Sequence, residues 1–387
     1  MREGNSVDPE LSEDQRLLLD ATESFIEASL PLARVRELIE TAAKAGPGPA
    51  YRRQAADLGW FAFLAPEELG GGGVSGEGLR DAAILAELRG RYLQPGGFID
   101  TNVVVSALAA QGSPRQREEV LPALVAGESA AAWAVADPTG DWSGLSGVSC
   151  RPADGGYRLT GAKGFVIDAQ VADWLLVTAA AQCGPVQGGP AQFLLPAATE
   201  GISVEVMAGL DLTRQLCRVR FDDVLADPSA AVGEVGAAGP AVSAQAQVAC
   251  VLSVAETVGA MQYLFDLSVQ YSKDRIAFGR PIGSFQALKH QLADTSLAVE
   301  LSHAVAVGAA RAVQAGGAGA AEAASMAKAL VGDAAVEVAH KSWQIFGGIS
   351  YTWEHDFHLY LRRLTADATL YGPPAYHRER VCQLAGV

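Results

Sequence analysis

The chain has 387 residues, and its 29 Lys and Arg against 44 Asp and Glu leave a formal net charge of −15. Nucleic acids and anionic bilayers need a basic field to offset their phosphates, so both are excluded as main partners. With 49% hydrophobic and 19% charged residues the chain has material for large cores and is not globally disordered, and its length suits two or three domains.

The cysteines, Cys150, Cys183, Cys217, Cys250 and Cys382, are far apart and form no C-x-x-C pair. This points to a reducing, cytoplasmic setting with small buried thiols rather than a disulfide or zinc scaffold. The opening MREGNSVDPELSEDQR has no apolar stretch, so no signal peptide is expected. Two long uncharged runs, Trp174 to Thr199 and Val235 to Ala255, carry Gly, Pro and Gln and are too rich in Ala to be read as membrane spans.

In chain order, helical text runs from about Leu11 to Ala126, beginning with Ser12 and Gln15 at capping-box spacing and continuing at about 31–44, 76–91 and 99–111. Gly71, Gly73 and Gly76 satisfy G-x-G-x-x-G. No strand leads into them, so the spacing predicts a flexible loop rather than a dinucleotide turn. From Ala131 to about Val224 the text alternates in short segments (AAWAVAD, GYRLTGAKGFV, WLLVTAA, QFLLP, ISVEVM, CRVRFDDV), which predicts an antiparallel sheet. After Gly239 it is helical again, with long rods at about 240–273, 285–314 and 319–343 and short helices at about 355–368 and 373–384, as in an up-down bundle. The expected class is α+β, with an N-terminal helical domain (1–128), a middle antiparallel β domain (129–232) and a C-terminal four-helix-bundle-like domain (233–387).

This order, together with RIAFGRPIGSFQALKH (275–290) and QIFGGISYTWEHDFHLYLRR (344–363), resembles the acyl-CoA dehydrogenases, flavoproteins that introduce an α,β double bond into acyl-CoA thioesters. The resemblance implies FAD as cofactor, an acyl-CoA substrate and, commonly, an electron-transfer flavoprotein as acceptor. In that family an R-x-x-F-G…F-Q segment reaches across a subunit interface to the pyrophosphate of a neighbour's FAD, and here Arg275, Phe278 and Gln286 match it. Gln344, Gly347 and Gly348 match the Q-x-x-G-G turn that approaches the same FAD through backbone, although a helix C-cap explains the glycines as well.

Other family positions are altered. The V-T-E-P-like string whose hydroxyl bonds the flavin reads Val135, Ala136, Asp137, Pro138. The W-I-T string, with an indole against the flavin, reads Phe165, Val166, Ile167. The family's chemistry takes the substrate Cα proton with a carboxylate while hydride leaves Cβ for the flavin. The usual position of that carboxylate, in a Y-E-G-T-like string, is Gly372, followed by Pro373 and Pro374, and the alternative position on the first long bundle helix is Ala249. Glu256, seven residues beyond Ala249 and so roughly 10 Å along a helix, is a weak candidate base whose other reading is a structural carboxylate. Asp137 is a weaker one, read chiefly as a turn residue.

Arg214 falls either in a loop near the active site or in a surface salt bridge, and His355, His358 and His377 are read as solvated or capping residues without metal-site spacing. What is eroded would serve this chain's own flavin, and what is intact would serve a neighbour's. The resemblance therefore implies the base-lacking subunit of an α2β2 heterotetramer with a second acyl-CoA dehydrogenase-like subunit, with a steroid side-chain CoA ester as a candidate substrate. A homotetramer using an atypical base and a non-enzymatic acyl-CoA-binding scaffold are the alternatives.

Overall fold

The structure, a computed structural model, describes residues 11–41, 46–186 and 188–387. The signal-peptide reading of the first ten residues and the end of the helix expected to reach 44 lie outside them. The N-terminal layer is helical: α1 (Glu13–Ser29), α2 (Leu32–Glu40), α3 (Gly48–Asp57), α4 (Gly78–Arg91), α5 (Phe98–Gln111) and α6 (Leu121–Val125). α1 starts on the predicted capping box: Ser12 Oγ accepts the Gln15 N–H and Gln15 Oε1 accepts the Ser12 N–H, both at 3.1 Å. The sequence reading missed α3 because GPGP suggests a break. Pro47 is its N-cap and Pro49 sits in the first turn, where a missing N–H costs nothing. The glycine-rich stretch is a loop, but a pinned one. The Asp81 carboxylate accepts the Ser75 N–H and hydroxyl at 3.0 and 2.7 Å and the Gln15 amide at 2.8 Å.

Among the described residues the middle layer has seven strands: β1 (Ala131–Ala134), β2 (Val148–Ala153), β3 (Gly156–Ile167), β4 (Trp174–Ala181), β5 (Pro190–Pro196), β6 (Ile202–Val206) and β7 (Leu216–Ala226). The predicted antiparallel sheet is corrected to a mixed one. β1 and β2 both run parallel to β4, while β2–β3, β3–β7, β4–β5 and β6–β7 are antiparallel. Alternation reports which side chains share a face and carries no strand direction. Segment β2 was missed because it is short and contains Pro152.

The chain then forms α7 (Gly239–Asp274), a small hairpin of β8 (Ile276–Ala277) and β9 (Arg280–Pro281), α8 (Gln286–Ala315), α9 (Gly319–Phe346), α10 (Phe357–Asp367) and α11 (Pro374–Ala385). By length and composition alone α7 and α8 could cross a membrane. The most apolar window of α7 is 83% buried inside the protein, as befits a core helix, whereas that of α8 is only 28% buried.

α4 and α7 touch backbone to backbone. A Cβ on Gly90 would lie 1.8 Å from the Glu256 carbonyl oxygen, and one on Gly259 1.8 Å from that of Glu87, so only glycine permits this crossing. The approach sets Arg89 of α4 beside Glu256 of α7 in a buried ion cluster. Glu256 pairs with Arg214, and with Arg89 at 3.3 Å; Arg214 also pairs with Asp367 of α10, and Arg363 of α10 pairs with Asp211 at 2.8 Å. Asp211 and Arg214 come from the loop between β6 and β7, so the cluster joins all three layers. Removing one partner of a buried ionic group strands the others. Glu256→Gln is therefore expected to lower unfolding free energy by about 3–5 kcal/mol, measured by urea denaturation of the folded chain. A loss under about 1 kcal/mol, the size of a surface pair, would contradict the assignment.

Candidate functional site

One end of the bundle carries the residues matched to the dinucleotide. The turn between β8 and β9 is Phe278-Gly279, both at positive φ (+51° and +79°), a geometry that favours Asn-Gly over an aromatic residue. Phe278 is also 94% exposed. Backbone strain and a bare aromatic ring at one position point to a surface covered in use. The hairpin is anchored to α7 and α8: the Arg275 N–H donates to the Tyr271 carbonyl, the Ile282 N–H to that of Arg275, both at 2.9 Å, and the Arg280 guanidinium lies 4.2 Å over the Phe285 ring. Arg275 is exposed, as is Gln286 in the first turn of α8. Tyr271 stacks on Phe346 at 4.4 Å, which brings the end of α9 to the same place. There Gln344 and Gly348 are exposed, and Gly347 ends α9 at φ +60° with open space beside its Cα and that of Gly348. Gly347 thus serves as a cap whose outer face stays free.

Of the other candidate positions Phe165 is half-buried, at φ +55°, and the rest are closed in the interior. Val135, Ala136, Val166, Ile167 and Ala249 are all buried. At Gly372, φ +113°, an added Cβ would stand 2.7 Å from the Tyr376 ring and 2.8 Å from His377 Nε2, so the base position has no room for a carboxylate side chain. His377 is buried, donating from Nε2 to the Tyr371 carbonyl at 3.1 Å, with burial pushing its pKa down to about 4. This corrects the solvated reading of that histidine. His355 does cap, accepting the Phe357 N–H at 3.1 Å, and His358 stacks on Trp353. Among the described residues no His, Cys, Asp and Glu group could hold a metal.

Glu256 has both oxygens committed to guanidinium groups, and Arg214, read as a possible surface residue, is buried. Asp137 is a turn residue. Its Oδ1 accepts the Thr139 N–H and hydroxyl and the Asp141 N–H at 2.8–2.9 Å; burial alone would raise its pKa, and these donors hold it below the usual carboxylate range.

Sequence reasoning passed over several interior polar groups. Lys163 is fully buried, with Nζ donating to the carbonyls of Val135 (2.8 Å) and Ser146 (2.7 Å), and desolvation brings its pKa down to about 7. Asp100 of α5 accepts the Tyr371 hydroxyl at 2.7 Å and the Trp133 N–H at 3.2 Å, and burial raises its pKa to about 7. The sequence signal for Asp100 is one acid amid a run of apolar residues in α5. Around it Phe165, Trp142, Tyr371 and Trp133 form a chain of rings with centroids 6.3, 5.3 and 6.2 Å apart, and the last three line, with residues of α7, α9 and α11, a pocket of about 20 Å³.

Residues 12–128 match the acyl-CoA dehydrogenase N-terminal domain and residues 241–384 the C-terminal domain. The chain is also 30% identical over 373 residues to acyl-CoA dehydrogenase IpdE2 of Mycolicibacterium smegmatis, covering 96% of this chain and 98% of that protein. The chain belongs to the acyl-CoA dehydrogenase family. Among solved structures it is similar to a Tcur3481–Tcur3483 steroid acyl-CoA dehydrogenase (26% identity, TM-score 0.84, 97% of this chain and 98% of that one). It also shares its fold with the ChsE4–ChsE5 complex from Mycobacterium tuberculosis (23% identity, TM-score 0.84, 97% and 98%). FAD is the cofactor of this family. In this chain the exposed guanidinium, aromatic ring and open glycine turn suit a pyrophosphate, whereas the side chains packed around Trp142 and Gly372 do not suit a flavin ring.

Asp100 gives a pH signature. Its pKa rises from about 3.9 unfolded to about 7 folded, so its contribution is complete below about 3.9 and is lost as pH rises to about 7. Asp100→Asn cannot titrate and keeps an acceptor for Tyr371. Thermal melts are expected to show the variant gaining on the wild type between pH 5 and pH 8. An equal difference at both pH values would show that Asp100 ionises normally.

Proposed function

We propose that this chain is the base-lacking subunit of a heteromeric, FAD-dependent acyl-CoA dehydrogenase that α,β-dehydrogenates a CoA thioester of the steroid side-chain class. A second acyl-CoA dehydrogenase-like subunit supplies the flavin cradle and the glutamate base in an α2β2 assembly. FAD bound there would supply the hydride-accepting chemistry. This chain's contribution would be to hold the dinucleotide: Arg275 would pair as a planar fork with the pyrophosphate, beside Phe278 and Gln286, and Gln344, Gly347 and Gly348 at the end of α9 would hold it from the other side. Onward transfer to an electron-transfer flavoprotein follows the family pattern.

The observation that carries this reading is position 372, where Tyr376 and His377 stand in the space a base would need. A homotetramer relying on Glu256 is disfavoured, because that carboxylate neutralises Arg89 and Arg214 in the interior and would strand them on leaving. A partner-facing bundle is favoured by Leu297 and Leu301 on α8 and Met326 and Leu330 on α9, which are 41–60% exposed. The steroid class rests on the similarity to the Tcur3481–Tcur3483 enzyme.

With the pair purified together, Arg275→Ala in this chain removes a charged hydrogen bond of about 1.5–3 kcal/mol. FAD binding to the pair, followed by flavin fluorescence, is expected to weaken by about 10- to 150-fold. Unchanged FAD affinity in a correctly assembled pair would sink the proposed clamp.

A further inference from the structure

We propose that Trp142 occupies, within this chain, the slot in which a flavin ring would stack, so that the chain excludes an isoalloxazine ring. This goes beyond the partner-dependent reading, because a chain without a base could still hold a flavin. The family chemistry fixes the order of layers: an aromatic side chain at the Phe165 position, the flavin ring, the thioester, and a carboxylate at the position of Gly372. Two flat layers must therefore fit between Phe165 and the Tyr371-Gly372 backbone. Here an indole stands between the Phe165 and Tyr371 rings, its centroid 6.3 Å from the first and 5.3 Å from the second. Tyr371 is in turn backed by Trp133 and held by Asp100. Trp142 and Tyr371, with Trp133 and residues of α7, α9 and α11, line a neighbouring pocket of only about 20 Å³.

The indole is held rather than left to swing. Its loop, residues 137–147, is folded on two carboxylates. Asp137 gathers the Thr139 and Asp141 donors, and the Asp137 N–H donates to the Asp141 carbonyl at 3.0 Å. On the other side of Trp142, Asp141 accepts the Ser143 N–H and hydroxyl and the Ser146 hydroxyl at 2.7–2.9 Å. Lys163 then staples the Ser146 carbonyl to that of Val135, the residue after β1. Trp142 is thus framed on both sides by a network that owes nothing to a ligand. Opening the slot requires breaking that network or removing the indole.

The test uses lumiflavin, an isoalloxazine without the ribityl phosphate, titrated into the lone chain and followed by flavin fluorescence. Wild type and Trp142→Phe, which retains a ring in the slot, are expected to give no saturable signal. Trp142→Gly is expected to bind at least about tenfold more tightly than either. Saturable binding by the wild type, or a Trp142→Gly chain that melts cooperatively and binds no better, would overturn the plug. Hydrogen exchange on the wild-type pair supplies a readout that needs no variant. On adding FAD, residues 275–286 should gain protection and residues 137–147 of this chain should not; protection of 137–147 would contradict the proposal. Failure of the partner reading shows separately, as unchanged exchange at 275–286 while lumiflavin is still excluded.

Discussion

The buried ion cluster is the constraint on which the arrangement of the molecule depends. Arg89, Arg214 and Arg363 face Asp211, Glu256 and Asp367 within the interior, and these six residues come from α4, the loop between β6 and β7, α7 and α10. Each ion is tolerable there only while its partners are present, so the helical layers and the β6–β7 loop must meet in one geometry. The glycine contact between α4 and α7 serves this meeting, since it brings Arg89 within reach of Glu256. The same requirement removes Glu256 from chemistry: a carboxylate that neutralises two buried guanidinium groups cannot leave to take a proton.

With the frame fixed, the two places where the proposed reading sets the ends of the cofactor present opposite physical conditions. At the bundle end a strained turn, a bare phenylalanine, a free guanidinium face and an open Gly-Gly turn are presented to solvent. In the interior, where the flavin ring and substrate would meet in a self-sufficient member of the family, indole and phenol rings stand in series from Phe165 to Tyr371, and Tyr376 and His377 crowd position 372. On the proposed reading, a missing base at position 372 and closure of the slot go together. Without a carboxylate at position 372, Tyr376 and His377 can pack against the backbone, and Tyr371 can turn its hydroxyl to Asp100.

Much of this was legible in the sequence. The long rods around Val251, Val258 and Met261, the capping box at Ser12 and Gln15, and the alternating segments of the middle layer follow from periodicity, which is a local property. What could not be read is what depends on distant partners. The parallel pairing of β1 with β4 joins residues more than forty apart in the chain. Arg214 and Glu256 are forty-two apart and no local pattern ties them. His377 looked like a surface residue because its helix is polar, yet it faces the Tyr371 carbonyl. Trp142, in a loop of Asp, Ser and Gly, carries no periodic signal at all. The absence of a base at Gly372 was readable, but the contacts that fill its place were not.

The measurement that bears most directly on this account is the molar ratio of FAD to protein, by absorbance and mass, for the chain alone and for the chain purified with its partner subunit. Little flavin in the lone chain and about one FAD per pair is the predicted result. Stoichiometric FAD in the lone chain, with reduction of an electron acceptor by an acyl-CoA, would contradict it.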